Sequence, residues 1–357
     1  MGCLLSVFSC QQLDKKRMAL LQNADEIDDI KEKITSYSIQ NQYINQEKII
    51  VEKPHKDFTK KLKIKFLSKN VQQKIYLTQN QKDKEYYIMK SINKQYLEYS
   101  GMQKQFQNEI QFGKECKGKF IQKYHQHFMT IKKCYIILEN VQGGNLQSLM
   151  KRKEMSEVEI RFYIAEILIA LQNIHKYNVI YRNLTPDNVL IDNQGHIKLS
   201  DFSICHFGTE CNCLNGNIYY QAPEINLIKY QNQLSDYWSL GALMYEMYVG
   251  YPPYFHPNIN TYKKNKRDQK LVIPNSISES AQQLLRQLLD NDIQVRIQNE
   301  SIKKVQYHVF FEGLDWELIK KKYIQSPFIP ELRSKSDINY YLQEEKQKQI
   351  EEQQQIQ

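Results

Sequence analysis

The feature that most constrains this 357-residue chain is a pair of polar segments in its second half. Tyr181-Arg182-Asn183-Leu184-Thr185-Pro186-Asp187-Asn188 runs into the apolar Val189-Leu190-Ile191, and Asp201-Phe202-Ser203 follows. Residues 189–192 and 196–200 read as short strands leading to the second segment. Asn188 and Asp201 carry hard oxygen ligands of the kind that hold Mg²⁺; the plainer alternative is that both only shape turns. Asn183 occupies the centre of the first segment, and its amide is not a base near neutral pH.

The rest of the chain supplies elements in a definite order. Alternation over Leu62–Leu67 and Lys74–Leu77 predicts strands, and Tyr86–Met89 predicts a third that ends in Lys90. Two more are expected around 121–129 and 134–139, with a helix carrying Glu109 near 101–116. Gln142-Gly143-Gly144 breaks the chain. Helical periodicity then dominates 156–177, 235–249 and 278–290. Strands first and helices later predict an α+β arrangement in two lobes, the first a five-stranded sheet plus a helix and the second mainly helical.

The segment from about 57 to 330 resembles an AGC-type serine/threonine protein kinase and looks closest to the myristoylated YANK-like branch. The residues that carry the likeness are Ile88-Met89-Lys90, Glu109, Ala222-Pro223-Glu224, Asp236-Tyr237-Trp238-Ser239-Leu240-Gly241, Leu289-Asp290 with Arg296, Phe310-Phe311 with Leu314-Asp315-Trp316, and Pro327-Phe328-Ile329-Pro330. The likeness implies a protein kinase-like domain over 57–311 and an AGC-type tail over 312–341. It implies ATP and Mg²⁺ as cofactors. Lys90 and Glu109 would form the ion pair that orients phosphates, Ile75, Ile88, Glu139 and Leu190 would surround the nucleotide, and Asn188 and Asp201 would hold the metal.

Against that template the departures are concentrated where the chemistry lies. The catalytic loop should offer an Asp base in H-R-D-x-x-x-x-N, followed by D-F-G. Here the base position is Asn183 and the final glycine is Ser203. Losing a general base removes on the order of 10²–10⁴ in rate. Thr185 stands where a Lys meets the γ-phosphate. The glycine-rich cover is Ser68-Lys69-Asn70-Val71-Gln72-Gln73, with all three glycines replaced, although backbone must approach phosphate there without a Cβ in the way. Ile88 replaces the Ala expected as the roof over adenine. Arg182 is kept, but the phosphosite it would greet is Cys213. Asn145 replaces an acidic substrate-recognition residue, and Gly113 replaces a large apolar residue of the spine that joins the lobes.

Composition narrows the setting. The +9 net charge is spread along the chain, which argues against a nucleic-acid partner. Seven cysteines at irregular spacing fit a reduced cytosolic compartment; Cys205, His206, Cys211 and Cys213 match no standard zinc spacing. No apolar run reaches membrane-spanning length. Met1-Gly2-Cys3-Leu4-Leu5-Ser6 matches the myristoylation pattern. Cys3 and Cys10 as palmitoylation sites, and Lys15-Lys16-Arg17 against anionic lipid, would supply the second signal that stable anchoring needs. Residues 1–17 therefore predict a membrane-targeting segment, 18–56 a helix and linker with Leu20, Ile27, Ile30 and Ile34 at helical spacing, and 342–357 a charged Gln-rich tail. The combined expectation is a pseudokinase tethered to the cytosolic face of a membrane, acting on a protein partner as scaffold or allosteric regulator. A weakly active ATP-dependent serine/threonine kinase is the alternative.

Overall fold

The computed structural model describes residues 63–69, 73–80, 82–212, 215–228, 230–293, 296 and 305–340. The acylation residues Gly2, Cys3 and Cys10, the helix and linker of 18–56, the cover residues Asn70–Gln72, Cys213 and the tail from 341 on lie outside the described residues.

Five strands, β1 (Lys63–Lys69), β2 (Gln73–Gln79), β3 (Tyr86–Asn93), β4 (Tyr124–Met129) and β5 (Lys133–Glu139), form an antiparallel sheet in the order β1-β2-β3-β5-β4. Two helices, α1 (Lys94–Ser100) and α2 (Gln103–Glu115), sit between β3 and β4. Asn93 caps α1 by accepting from the Gln95 and Tyr96 amides, and Gly101 ends it at φ 67°, a conformation that glycine adopts without steric cost. This helix is an addition to the sequence expectation. Its residues Lys94-Gln95-Tyr96-Leu97-Glu98 show too short a periodic run to separate from the strand before them.

Register divides the sheet into two faces. Leu77, Ile88 and Leu138 are directly paired across β2, β3 and β5, and so are Ile75, Lys90 and Ile136. Paired residues share a face, and so do residues two apart along a strand. Both rows therefore point the same way, with Lys90. Tyr76, Met89 and Ile137 form the row between them and pack in a separate cluster with Phe128 and Tyr135. Sequence alternation in β2 and β3 thus places Lys90 and Ile88 together on the inner face.

The second lobe is built on α4 (Glu157–His175), which follows the short α3 (Leu146–Arg152). Ser156 and Glu159 close a capping box at its start. Beyond the first turn it is apolar nearly all round, and Ile160, Tyr163, Ile164, Ile167, Leu168, Leu171 and Ile174 are fully buried, as a central helix requires. Strands β6 (Val179–Ile180), β7 (Val189–Ile191) and β8 (Ile197–Leu199) follow, with β7 and β8 paired. Glu166 of α4 bonds His196 Nδ1 at 2.6 Å and the Ile197 amide at 2.9 Å, which fixes that hairpin to the helix. After β9 (His206–Phe207) and β10 (Glu210–Cys211) come α5 (Pro223–Ile228), β11 (Gln231–Asn232), α6 (Gln233–Val249), α7 (Ile259–Asp268), α8 (Glu279–Leu288) and α9 (Trp316–Lys321). The architecture is the expected bilobal α+β fold, with additional short helices where the periodic signal is brief. Among the described residues no helix is long and apolar enough to cross a membrane.

Glu224 and Arg296 form a fully paired, buried bridge of two hydrogen bonds, at 2.7 and 2.9 Å. The Arg296 guanidinium also lies 4.9 Å from the Trp238 ring centroid. The Lys266 ammonium lies 5.4 Å from the same ring, and burial pushes its pKa down to about 7. Arg296→Met should leave the Glu224 carboxylate buried without its cation and lower stability by about 3–5 kcal/mol. Urea denaturation should show a reduced midpoint, and adding Glu224→Leu should recover much of the loss.

Candidate active site between the lobes

The site begins with one carboxylate. Asp236, in the first turn of α6, is fully buried. Its Oδ2 accepts the Tyr181 amide and bonds His175 Nε2, both at 2.8 Å, and its Oδ1 accepts the Arg182 amide at 2.7 Å. These bonds hold the backbone of the predicted catalytic loop. Arg182 sits at φ 62° and Asp201 at φ 52°, both in the left-handed region that non-glycine residues seldom adopt. Both strained positions lie in the two segments singled out from sequence. After Arg182 the loop continues through Thr185, which precedes a one-turn 3-10 helix over Pro186–Asn188.

The phosphate-binding end is assembled. Lys90 Nζ donates to Glu109 Oε1 at 2.6 Å and stands 3.5 Å from Asp201 Oδ1. Burial alone would lower the Lys90 pKa, but Glu109 and Asp201 outweigh it and hold the ammonium protonated. Burial likewise raises the Asp201 carboxyl, but Lys90 and donors from Ser203 and Asn183 bring it below the usual carboxylate range. Asn188 donates its Nδ2 to the Asn183 carbonyl at 2.9 Å, which leaves its Oδ1 as the atom able to ligate a cation. Asn188 and Asp201 thus form a donor set suited to Mg²⁺, and a bound metal would neutralise phosphate charge beside Lys90. Asn183 is turned inward: its Nδ2 donates to the Asp201 carbonyl at 2.8 Å and to Asp201 Oδ2 at 3.1 Å. Thr185 is buried and brings no cation to the site.

The base-binding end differs. Ile88 is only 4% exposed, Leu138 is buried beside it, and Ile75 and Leu190 are half-buried. Leu67, at a bulge in β1, joins the same cluster, and so does Ile338 from the far end of the chain. Glu139 is engaged within the protein at both ends. Its carboxylate meets Lys198 Nζ at 2.9 Å and accepts the Lys123 amide at 3.0 Å, while its carbonyl accepts from Gln122 Nε2 at 2.9 Å. The residues at the phosphate end fit the phosphates and metal of a nucleotide, and the other end offers the apolar side chains of Ile75, Ile88, Leu138 and Leu190.

Gly113 has a resolution that sequence reasoning missed. A Cβ added there would lie 2.4 Å from Tyr124 Cβ, so the Tyr124 ring of β4 takes the volume that the missing side chain leaves. The Tyr124 hydroxyl is fixed by His127 Nδ1 at 2.6 Å. Beside it, Phe112 stacks on Phe202 with ring centroids 3.7 Å apart, and Phe202 meets Tyr181 at 5.1 Å. These rings join α2 to the second polar segment and the catalytic loop. Asn108 adds a direct tie, donating to the Cys205 carbonyl at 2.9 Å. A bulky aromatic among the polar residues Lys123, His125 and Gln126 was the available signal.

Arg182, which the likeness sets opposite a phosphosite at Cys213, is engaged within the described residues. Arg182 Nε donates to the Ile204 carbonyl at 2.7 Å, and its terminal nitrogens lie 3.4 Å from Cys211 Sγ, Gln231 Oε1 and the Cys205 carbonyl. Asn145 caps α3 and reaches Asp187 Oδ1 at 3.4 Å.

A strand-rich lobe, a helical lobe and a buried Lys–Glu pair with the Asp201 carboxylate beside it define a protein of the protein kinase class. A family model for the protein kinase domain matches residues 71–311, and the chain belongs to that family. It is 36% identical over 224 residues to the RAC family serine/threonine-protein kinase homolog of Dictyostelium discoideum, which covers 61% of this chain and 50% of that protein. It is 36% identical over 219 residues to the serine/threonine-protein kinase gad8 of Schizosaccharomyces pombe, covering 60% and 38%. With Sgk1 of Gallus gallus it shares 35% over 234 residues, covering 64% and 54%. These relatives are serine/threonine kinases of AGC type. The chain spans about half the length of the curated relatives it matches.

Gly113→Leu should overpack against Tyr124 and lower stability by about 1–3 kcal/mol. Tyr124→Ala should cost about 3–5 kcal/mol through the cavity it opens. Thermal melts of the double variant should show a smaller loss than the sum, giving a favourable coupling energy between the two positions.

Proposed function

We propose that this chain is a catalytically impaired, kinase-like protein that works by binding: a pseudokinase presenting a kinase-shaped surface to a protein partner at the cytosolic face of a membrane. The observation that carries the reading is Asn183. The side chain at the base position is an amide whose hydrogens are directed at Asp201, so a substrate hydroxyl meets no group there able to take its proton. The absent cation at Thr185 supports it. The membrane part rests on Gly2, Cys3, Cys10 and Lys15–Arg17, together with the likeness to the myristoylated YANK-like branch.

A second reading, a weakly active ATP-dependent serine/threonine kinase, is favoured by one specific observation. The Lys90–Glu109–Asp201 arrangement is complete, and the catalytic Asp of a kinase is partly a positioning group. A radiolabelled transfer assay separates the two. The expected result is that the wild type equals Lys90→Met, with transfer lower by on the order of 10²–10⁴ than for an Asp-bearing site. Lys90-dependent phosphorylation would establish the second reading.

The tether has its own test. Gly2→Ala should move the protein from the membrane fraction to the soluble fraction on cell fractionation, because Cys3, Cys10 and Lys15–Arg17 would then lack the myristoyl chain they are read to reinforce. An unchanged membrane fraction would sink the tether.

A further inference from the structure

Three helices end on one patch of surface, and each carries lysine at or just past its last turn. α2 ends at Glu115 and is followed by Lys117 and Lys119, and α4 ends at His175 and is followed by Lys176. α9 closes with Lys320 and Lys321, and Lys322 is its cap residue. The three ends touch. Lys119 Nζ donates to the Lys321 carbonyl at 3.4 Å, and Lys322 Nζ lies 5.1 Å from the Phe120 ring centroid. Asn173 of α4 donates to the Lys117 carbonyl at 2.8 Å, the Lys117 amide donates to the Tyr177 hydroxyl at 3.4 Å, and Lys117 Nζ donates to the Gly113 carbonyl of α2. Carbonyls at a helix end draw cations, which explains why lysines gather here. Carboxylates cancel only part of the charge. Lys320 pairs with Glu317 and Lys322 with Asp192. Lys117, Lys119, Lys176 and Lys321 are exposed, and among the described residues none of them has a carboxylate at ion-pair distance. Glu115 is the exposed acid nearest to them in sequence.

We propose that this patch, centred on Lys119 and Lys321, is an electrostatic docking face for an anionic phospholipid surface. Its two central lysines stand 202 residues apart in the chain, so only the fold assembles it. Every cation in it is a lysine. The rigid fork of an arginine suits one defined carboxylate or phosphate, whereas a lysine ammonium is a hydrated point charge on a flexible stem. Such charges suit the diffuse field of a lipid surface better than the fixed geometry of an acidic peptide. Tyr323 and Tyr177 set phenol rings, 74% and 41% exposed, beside the lysines, and amphipathic rings settle at the headgroup level of a bilayer. The inference rests on the membrane tether proposed above, and adds which face of the kinase-like domain turns to the bilayer.

The test is sedimentation of the full-length, unacylated protein with vesicles of phosphatidylcholine, alone or mixed with phosphatidylserine. Binding should appear only with phosphatidylserine and should weaken as salt is raised. Lys119→Gln/Lys321→Gln should bind at least about tenfold more weakly, because each lysine at an anionic surface adds roughly a fivefold factor. Lys263→Gln/Lys264→Gln removes the same charge from the exposed side of α7 and should bind within about threefold of wild type. In Tyr323→Trp the added indole should shift its emission to the blue on phosphatidylserine vesicles. Circular dichroism confirms that each variant is folded. A loss of less than about tenfold for the Lys119/Lys321 pair overturns the proposal, and so does an equal loss for the α7 pair, which would mean that net charge alone is read. An unshifted Trp emission overturns it too. Binding to soluble poly-glutamate and not to the vesicles would replace the lipid with an acidic protein partner. None of these readouts needs an acyl chain, so an unchanged membrane fraction for Gly2→Ala would remove the tether and leave the vesicle result standing.

Discussion

Asp236 is the constraint on which the rest of the site depends. Its carboxylate is fully buried and sits among three donors: two consecutive backbone amides of the catalytic loop and the ring of His175. A buried charge is tolerable only when its lone pairs are satisfied. The loop therefore keeps one shape, with Arg182 in the left-handed region, because any other shape would strand the carboxylate. This explains why the loop geometry survives although the residue at the base position has changed. The fold of the segment is set from beneath by α6, while Asn183 faces Asp201. The two demands fall on different atoms, so one can be lost without the other.

The same separation accounts for the uneven state of the cleft. Lys90 and Glu109 form a buried ion pair, and the partly exposed Asp201 carboxylate stands beside it. Removing Lys90 would leave the buried Glu109 carboxylate without its cation, so charge pairing alone is a structural reason for that residue. Ile88 carries no such obligation. An apolar residue at the roof can grow, and the added carbon atoms are welcome as long as something apolar meets them. Leu138, paired with Ile88 across the sheet, does so. Within the cleft, charge pairing accounts for the placement of Lys90 and Glu109, and apolar packing for that of Ile88 and Leu138.

Much of this was legible in the chain itself. The two-lobe order, the five strands, Lys90 with Glu109, and Glu224 with Arg296 were marked by residue types that chemistry or charge pairing demands at fixed spacings. What escaped was compensation between distant positions. Gly113 alone reads as a gap in the inter-lobe column, and only the sheet register brings Tyr124 over it. Ile338 is one apolar residue in a polar stretch, and nothing local distinguishes it from a surface isoleucine. Periodicity describes which face a residue takes within its own element. It carries no information on which remote element will meet that face.

Arg182 carries a consequence for how this protein stands in a cell. In a signalling enzyme this guanidinium is a reader: it waits for a phosphate, and the segment is shaped only after another enzyme has written one. Here the reader is already answered from within, by the Ile204 and Cys205 carbonyls, Gln231 and Cys211. The shape of the segment around Arg182 therefore rests on bonds made within the polypeptide itself.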